Sequence, residues 1–218
     1  MKIAGVKKQS LIDFPGHIST VVFTQGCNFR CGFCHNPDLV LPAKFGPLYN
    51  QEAVFSYLKK FQHLLDAVCI TGGEPTLQPG LPAFILKVKE LGLKVKLDTN
   101  GTHPEMLSTL LAENLLDFIA MDVKHVLNFD FYNRTVGNIL NQQVFENIIQ
   151  SIRLIENSVI GYEFRTTVIK GLHQPEQIQQ LRKRFGSHYK VQQFNPEVVL
   201  DPHLKGKPFS EKEFHSFL

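Results

Sequence analysis

Short apolar segments alternate with segments of helical period along almost the whole chain. The apolar segments are rich in β-branched residues, which is typical of buried strands in parallel sheets. Between them, apolar residues recur every three or four positions, as they do on one face of a helix. The pattern predicts strands over residues 20–24, 67–71, 95–98, 118–122, 163–169 and 191–194.

The segments between the strands predict helices over residues 51–64, 81–91, 104–114, 143–157 and 175–185. A short closing helix follows Ser210, because Ser210 and Glu213 have the spacing of a capping box. Strict alternation of strand and helix predicts an α/β protein, either a partial barrel or an open doubly wound sheet. We find no linker or repeat, so we expect one domain over residues 1–218.

Composition excludes several functional classes. Hydrophobic residues make up 43% of the 218 residues and charged residues 20%, as in ordinary globular proteins. A net charge of +3 is too weak to indicate nucleic-acid binding by itself. Residues 1–8 lack the apolar core of a signal peptide, and charges interrupt the most apolar stretch, residues 107–123. We therefore expect a cytoplasmic protein without nucleic-acid or membrane partners.

Polar motifs follow five of the six predicted strands. A cysteine-rich loop follows the first strand, and Gly-Gly-Glu-Pro at 72–75 follows the second. Residues 98–101 end the third strand, 122–124 the fourth and 193–196 the sixth. The carboxyl ends of parallel strands form one rim, where ligands bind. All five motifs should therefore meet on one side of the sheet.

Three of the four cysteines lie within eight residues, at Cys27, Cys31 and Cys34. A four-iron cluster needs four ligands, so three cysteines would leave one iron open to another molecule. The alternative is a zinc site with His35 as the fourth ligand. Zinc sites usually pair cysteines in C-x2-C knuckles, and chelation of one tetrahedral ion by the adjacent Cys34 and His35 is awkward. The spacing favours an iron–sulfur cluster in a reducing compartment.

The cysteine spacing, with aromatic Phe33 before the last cysteine, resembles the signature loop of the radical S-adenosylmethionine (SAM) superfamily. Residues 10–16, 22–31 and 34–37 are similar to glycyl-radical-enzyme activases, and above all to those of anaerobic ribonucleoside-triphosphate reductase. The resemblance covers nearly the whole chain. It implies a partial (β/α)6 TIM-like barrel of the radical SAM type.

The resemblance also implies cofactors and partners. A [4Fe-4S] cluster would pass one electron to SAM, which breaks into methionine and a 5′-deoxyadenosyl radical. That radical would take a hydrogen atom from a backbone glycine of a partner, which we expect to be anaerobic ribonucleotide reductase. A one-electron donor such as flavodoxin or ferredoxin would reduce the cluster. The protein would supply orientation and exclusion of water.

Individual site residues follow from the same resemblance. Glu74 and Asp98 would hold the SAM ammonium, Lys124 its carboxylate, and Asp122 a ribose hydroxyl or a monovalent cation. Phe33, Cys34 and His35 would contact the adenine. The predicted cluster ligands are Cys27, Cys31 and Cys34, and the predicted SAM contacts are Phe33, Cys34, His35, Gly72, Gly73, Glu74, Asp98, Asn100, Asp122, Val123 and Lys124.

The chain departs from pyruvate formate-lyase activases in two places. Those activases carry Asp-Gly-Pro-Gly-x-Arg near the start, whereas residues 13–18 here read Asp-Phe-Pro-Gly-His-Ile, which favours the reductase subgroup. They also place a histidine after the last strand; here Gln193 and Asn195 are the candidates for that ribose contact. We expect residues 125–137, a candidate lid, and residues 10–17 to face the partner.

Two other functions remain open at this point. One is a small-molecule radical SAM synthase such as 7-carboxy-7-deazaguanine synthase, although that family usually has Asp where this chain has His35. The other is a non-enzymatic iron–sulfur or zinc module, which would not need glycine and aspartate motifs on the same rim. Outside these motifs, we expect Cys69 to be a small core residue, while Arg165 could point into the barrel or reach a neighbouring carboxylate.

Overall fold

A single seven-stranded sheet organises the chain, and its strand order follows the sequence from β1 to β7. The computed structural model describes residues 1–204 and 209–218. The strands are β1 (Ile3–Ser10), β2 (Ser19–Thr24), β3 (Ala67–Gly72), β4 (Lys94–Thr99), β5 (Phe118–Asp122), β6 (Gly161–Val168) and β7 (Tyr189–Gln193).

Strands β2 to β7 are all parallel, and each pairs with the next strand in the chain. Sequential parallel strands joined by helices wind in one direction and curl the sheet toward a barrel. β1 and β7 form the two edges, so the barrel stays open. The predicted partial (β/α)6 barrel is confirmed, with one antiparallel strand added at its edge.

Eight α-helices accompany the described strands. They are α1 (Pro37–Val40), α2 (Gln51–Phe61), α3 (Leu81–Glu90), α4 (Pro104–Ala112), α5 (Phe129–Thr135), α6 (Gln142–Glu156), α7 (Pro175–Phe185) and α8 (Glu211–His215). The predicted helices are confirmed to within three residues at each end. Asn50 caps α2 by accepting a hydrogen bond from the Glu52 N–H at 2.7 Å, and Ser210 and Glu213 form the expected capping box. Within the described residues, none of these helices has the length and apolarity needed to span a bilayer.

Strand β1 was not predicted, because its residues do not follow the pattern of a buried strand. Lys7, Lys8 and Gln9 are exposed, and only Ile3 and Ser10 within the strand are buried. β1 pairs antiparallel with β2, and none of the described strands pairs with its other side, where the Tyr49 N–H donates to the Ile3 carbonyl at 2.8 Å. Lysines on such an edge oppose pairing with other chains, so polarity here marks an edge strand rather than a loop.

The two faces of the sheet differ in chemistry. Along β6, Phe164 and Val168 are buried, and the Phe164 ring lies 4.4 Å from that of Phe185 in α7. Glu163 and Arg165 alternate with them and face the inside of the barrel with only partial burial. Apolar residues therefore fill the space between sheet and helices, while charged residues line the barrel interior.

Residues 10–17 lie at the amino-terminal end of the barrel, opposite the rim that carries the polar motifs. Ser10 pairs with Ser19 at the start of β2, and the Phe14 ring lies 5.7 Å from Phe118 at the start of β5. Phe14 is buried, whereas Leu11 beside it is exposed. The packing of Phe14 gives this segment a structural role, and its predicted contact with a partner remains a prediction.

Replacing Phe14 by alanine should lower the free energy of unfolding by about 3 kcal/mol, because it empties a buried aromatic site at the bottom of the barrel. Denaturant titration followed by circular dichroism measures this change. Leu11→Ala is the matched control, since 69% of Leu11 is exposed and little stability should be lost. Equal midpoints for Phe14→Ala and the unmodified protein would contradict the packing role.

Candidate active site

A cavity of about 230 Å³ opens at the carboxyl ends of the parallel strands. It is lined by residues from the cysteine loop and from the ends of β3 to β7. The predicted site residues that the structure brings together in this lining are Cys27, Cys31, Phe33, Cys34, His35, Gly72, Gly73, Glu74, Asp98, Asn100, Asp122 and Lys124. Four of the five polar motifs thus converge on this cavity, whereas the motif at residues 193–196 is not in its lining.

Val123 is the predicted residue that stands apart from this lining. Its side chain is fully buried, and its backbone N–H donates to the Arg165 carbonyl at 2.8 Å. Side chains alternate about the end of β5, so Asp122 and Lys124 face the cavity while Val123 faces the helices. Its contribution is to fix the backbone between them.

From β6 and β7, Arg165, Thr167 and Gln192 also line the cavity. The sequence left open whether Arg165 points into the barrel or reaches a neighbouring carboxylate, and the structure shows both. Thr167 shares its face of β6, so the alternation of polar and apolar residues was the signal that could have found it. From β7, Gln192 supplies the lining side chain, and Gln193 and Asn195 lie outside the lining. The remaining newly found lining residues are Phe29, Asn36, Val40, Thr71 and Thr99.

Hydrogen bonds within the cysteine loop direct its thiols to the cavity. The Arg30 guanidinium donates to the carbonyls of Cys27 and Phe29, each at 2.8 Å. The Cys34 N–H donates to the Cys31 carbonyl at 3.0 Å. The Arg30 N–H also donates to the Val136 carbonyl at 2.9 Å, which ties the loop to the segment after α5. All three cysteines are free thiols.

Three cysteine sulfurs on one wall of the cavity are the donor set that iron–sulfur clusters use. Burial raises the pKa of Cys27 to about 11 and that of Cys31 to about 12, while the Lys124 charge opposes both shifts. Thiolates bind iron, so assembly of a cluster would release these protons. Cys69 lies in β3, outside the cavity lining, and is fully buried, as expected of a core residue. In the described ranges, no three His, Cys, Asp or Glu side chains are placed to hold a single metal ion.

Gly72 and Gly73 allow the end of β3 to pack directly on the start of the cysteine loop. A Cβ on Gly73 would lie 2.0 Å from the Gly26 carbonyl oxygen, and one on Gly72 would lie 2.5 Å from the Thr24 nitrogen. The Glu74 N–H donates to that same Gly26 carbonyl at 2.8 Å. We expected these glycines to admit a ligand, and the structure shows that they also admit the backbone of the loop.

Gly73→Ala should displace the cysteine loop, because the new Cβ overlaps the Gly26 backbone. The iron content of the reconstituted variant should fall below half that of the unmodified protein. Iron and acid-labile sulfide analysis after anaerobic reconstitution measures the effect. Gly46→Ala is the control, since nothing lies within 4 Å of its added Cβ. Full iron occupancy in Gly73→Ala would show that the loop does not depend on this contact.

Glu74 joins the ends of β3 and β4. Its Oε1 accepts hydrogen bonds from the Thr76 N–H at 3.0 Å and the Thr99 hydroxyl at 2.7 Å, and its Oε2 accepts from the Asn100 N–H at 2.7 Å. The side chain of Asn100 then donates to Asn28 in the cysteine loop at 2.9 Å. Burial raises the pKa of Glu74, and these hydrogen bonds oppose the shift. The glutamate therefore positions the rim as well as facing the cavity.

Opposite charges alternate across the inner face of β4, β5 and β6. Arg165 Nε lies 3.0 Å from Asp122 Oδ1, and its guanidinium also reaches Asp98 at 3.5 Å. Lys124 Nζ lies 2.9 Å from the other oxygen of Asp122. Burial alone would raise the pKa of Asp122, but the Arg165 and Lys124 charges outweigh it and hold that pKa well below its usual range. Asp122 thus stays ionised.

The backbone of Lys124 is held from two sides. The Tyr132 hydroxyl in α5 accepts a hydrogen bond from the Lys124 N–H at 3.1 Å, and His173 Nε2 lies 2.9 Å from the Lys124 carbonyl oxygen. His173 Nδ1 accepts from the Ile169 N–H, so Nε2 carries the proton and donates. Since Tyr132 is fully buried, this part of the candidate lid at residues 125–137 is packed against the rim.

Acid should destabilise the protein through His173. Burial lowers the pKa of His173 to about 4, so between about 6.5 and 4 the unfolded chain binds a proton that the folded chain does not. Lowering the pH from 7.5 to 5 should therefore cost the unmodified protein ~2 kcal/mol more stability than His173→Gln. Denaturant titration of cluster-free protein at both pH values measures this. His63→Gln, at an exposed position, is the control and should lose as much stability on acidification as the unmodified protein. An equal loss in His173→Gln would contradict the role given to His173.

A model of the radical SAM superfamily matches residues 21–185, which include the cysteine loop and the ends of β3 to β6. The chain belongs to the radical SAM superfamily. This radical SAM protein carries the three cysteines of the superfamily loop on the wall of the cavity, and its family uses a [4Fe-4S] cluster and SAM as cofactors.

A protein of Methanocaldococcus jannaschii provisionally named as a glycyl-radical enzyme activating enzyme is 35% identical over 96% of this chain and 87% of that protein. The pyruvate formate-lyase-activating enzyme of Clostridium pasteurianum is 33% identical over 71% of this chain and 64% of that enzyme. The 7-carboxy-7-deazaguanine synthase of Methanopyrus kandleri is 28% identical over 73% of this chain and 70% of that enzyme. This radical SAM protein is therefore similar to one provisionally named activating enzyme along nearly its full length and to the C. pasteurianum enzyme along 71% of it.

The fold is also that of solved radical SAM structures. The structure of anSMEcpe with bound AdoMet aligns with a TM-score of 0.61 at 18% identity, over 88% of this chain and 55% of that one. At this level of identity the likeness supports the fold alone.

Proposed function

We propose that this radical SAM protein is an activase that installs a glycyl radical on anaerobic ribonucleoside-triphosphate reductase, acting as one unit over residues 1–218. The observation that carries the proposal is the convergence of three thiols and a paired set of charges on one cavity. The similarity to activating enzymes of M. jannaschii and C. pasteurianum supports the reaction class. The departure at residues 13–18 supports the reductase rather than pyruvate formate-lyase as the partner.

In this proposal Cys27, Cys31 and Cys34 hold a [4Fe-4S] cluster, and the rim charges hold SAM. When bound, the cluster supplies one electron that cleaves SAM to methionine and a hydrogen-abstracting 5′-deoxyadenosyl radical. Lys124 presents an ammonium that pairs with the SAM carboxylate, and Asp98 presents a carboxylate for its ammonium. No side-chain base is required, because the partner glycine loses a hydrogen atom rather than a proton.

A protein substrate needs access to this cavity. The sheet is open between β1 and β7, so the barrel has a side that is not closed by strand pairing. A loop of the partner can enter there while the core of the partner stays outside. Reduction of the cluster by flavodoxin or ferredoxin in the cytoplasm, where thiols stay reduced, completes the scheme.

A second candidate is a small-molecule synthase, since 7-carboxy-7-deazaguanine synthase of M. kandleri is among the relatives. Both reactions would use the same cysteines and cleave SAM, so they differ in what loses the hydrogen atom. A non-enzymatic cluster module is less consistent with the cavity, because its charged rim would have no ligand to hold.

Reconstituted protein with SAM and a chemical reductant should form 5′-deoxyadenosine, and adding anaerobic ribonucleotide reductase should give the electron paramagnetic resonance signal of a glycyl radical. Cys31→Ala should abolish both, because it removes a cluster ligand. Chromatography measures the 5′-deoxyadenosine, and electron paramagnetic resonance spectroscopy at low temperature measures the glycyl radical.

Cys69→Ala provides the matched control for that experiment, since Cys69 is a buried thiol outside the cavity and should keep most of both signals. Equal loss in the two variants would contradict the ligand assignment. Formation of 5′-deoxyadenosine without any radical on the reductase would retain SAM cleavage and reject the proposed partner.

A further inference from the structure

Lys96 is a buried lysine whose function the reaction scheme leaves unexplained. It lies on the inner face of β4, two residues before Asp98, and its side chain is 2% exposed. Its Nζ lies 2.5 Å from Asp98 Oδ1 and 3.9 Å from the thiol sulfur of Cys69 on β3. Lys96 is absent from the cavity lining, whereas Asp98 belongs to it. Lys96 therefore reaches Asp98 from the side away from the cavity.

Each oxygen of the two rim carboxylates already has a cationic partner. Lys96 and Arg165 take the two oxygens of Asp98, at 2.5 and 3.5 Å. Arg165 and Lys124 take the two oxygens of Asp122, at 3.0 and 2.9 Å. Three cations thus share two carboxylates, and the nearest further carboxylate, Glu163, lies 4.0 Å from the Arg165 guanidinium.

This arrangement does not fit an additional monovalent cation at Asp98 and Asp122. Hard cations bind to oxygen ligands, and here those oxygens are engaged by ammonium and guanidinium groups. A bare ion would need several of these oxygens as ligands at once, whereas the SAM ammonium needs only one free lone pair on Asp98. The monovalent cation that the family resemblance implied therefore lacks a set of free oxygen ligands between Asp98 and Asp122 in this chain.

We propose that the Lys96 ammonium takes the place of that monovalent cation, so that this protein binds SAM without potassium or sodium. An ammonium at 2.5 Å from Asp98 supplies the same unit charge behind the carboxylate that a bound cation would supply. A charge as buried as Lys96 is stable only beside its carboxylate, so the pair is permanent rather than exchangeable. The inference rests on the proposed function in one respect, that SAM is the ligand of the cavity.

The test measures SAM binding to the anaerobically reconstituted protein by calorimetry, in chlorides of potassium, sodium and tetramethylammonium at equal ionic strength. For the unmodified protein the dissociation constant should agree within about twofold across the salts. Lys96→Met, whose side chain is one atom shorter and carries no charge, should bind SAM about tenfold more weakly in tetramethylammonium. Potassium, sodium or ammonium should restore much of the lost SAM affinity of this variant by binding where the Lys96 ammonium was.

Lys94→Met is the matched control, because Lys94 lies on the same strand and is exposed. It should match the unmodified protein in every salt. Iron content measured in each variant separates loss of the cluster from loss of SAM affinity, and Lys96→Gln is a second variant should Lys96→Met fail to fold.

Thermal unfolding in the same salts gives a readout that does not require SAM. Potassium should raise the unfolding midpoint of Lys96→Met and leave that of the unmodified protein unchanged, because a cation that binds only the folded variant stabilises it. A tenfold salt dependence in the unmodified protein would overturn the proposal. A Lys96 variant that loses affinity equally in all salts, or gains no stability from potassium, would overturn it too. An unmodified protein that binds no SAM in any salt would reject the proposed function instead, and the midpoints would still decide the role of Lys96.

Discussion

Charges buried inside the barrel must neutralise one another, and this requirement fixes the geometry of the rim. Arg165 on β6 reaches both Asp98 on β4 and Asp122 on β5, so a single guanidinium holds three strand ends at set distances. Leaving the Arg165 charge unpaired would cost several kcal/mol, because only 13% of its side chain is exposed. The alternating order of lysine, aspartate, arginine, aspartate and lysine is therefore a condition for the cavity to exist.

The cysteine loop is attached to this rim through backbone packing and a pair of asparagine side chains. Gly73 lets the end of β3 lie against Gly26, and Glu74 links the same strand end to Asn100, which reaches Asn28 in the loop. Arg30 closes the loop on itself. The Asn100 amide also lies 3.9 Å from the Cys27 sulfur, while these contacts do not use Cys31 or Cys34, so the loop presents its thiols to one cavity.

Much of this arrangement could be predicted from the sequence. The parallel strands, their polar ends and the three cysteines are local patterns, and each was found where the structure places it. The alternation of side chains about β5 could have excluded Val123, since both of its neighbours face the cavity. Strand β1 escaped prediction because an exposed edge strand does not need the apolar pattern of a buried one.

The charge partners could not be predicted, because they depend on which strands meet and in which register. Asp122 pairs in register with Arg165, and Lys96 with Cys69, only once β3 to β6 have curled into the barrel. The sequence distance between Asp98 and Arg165 gives no indication of that contact. Polar residues alternating along β6 indicated an inward face, but not the carboxylates that Arg165 would join.

The most direct test is the electron paramagnetic resonance spectrum of the reduced, reconstituted protein during a titration with SAM. We predict that the cluster signal changes on binding of one SAM per cluster. We further predict that Arg165→Met requires at least tenfold more SAM for the same change at unaltered iron content, because the variant removes the one cation that joins Asp98 to Asp122. Two results would contradict the account of a rim held together by these charges beside a three-cysteine cluster. One is a cluster signal that SAM does not alter, and the other is an Arg165→Met titration that matches that of the unmodified protein.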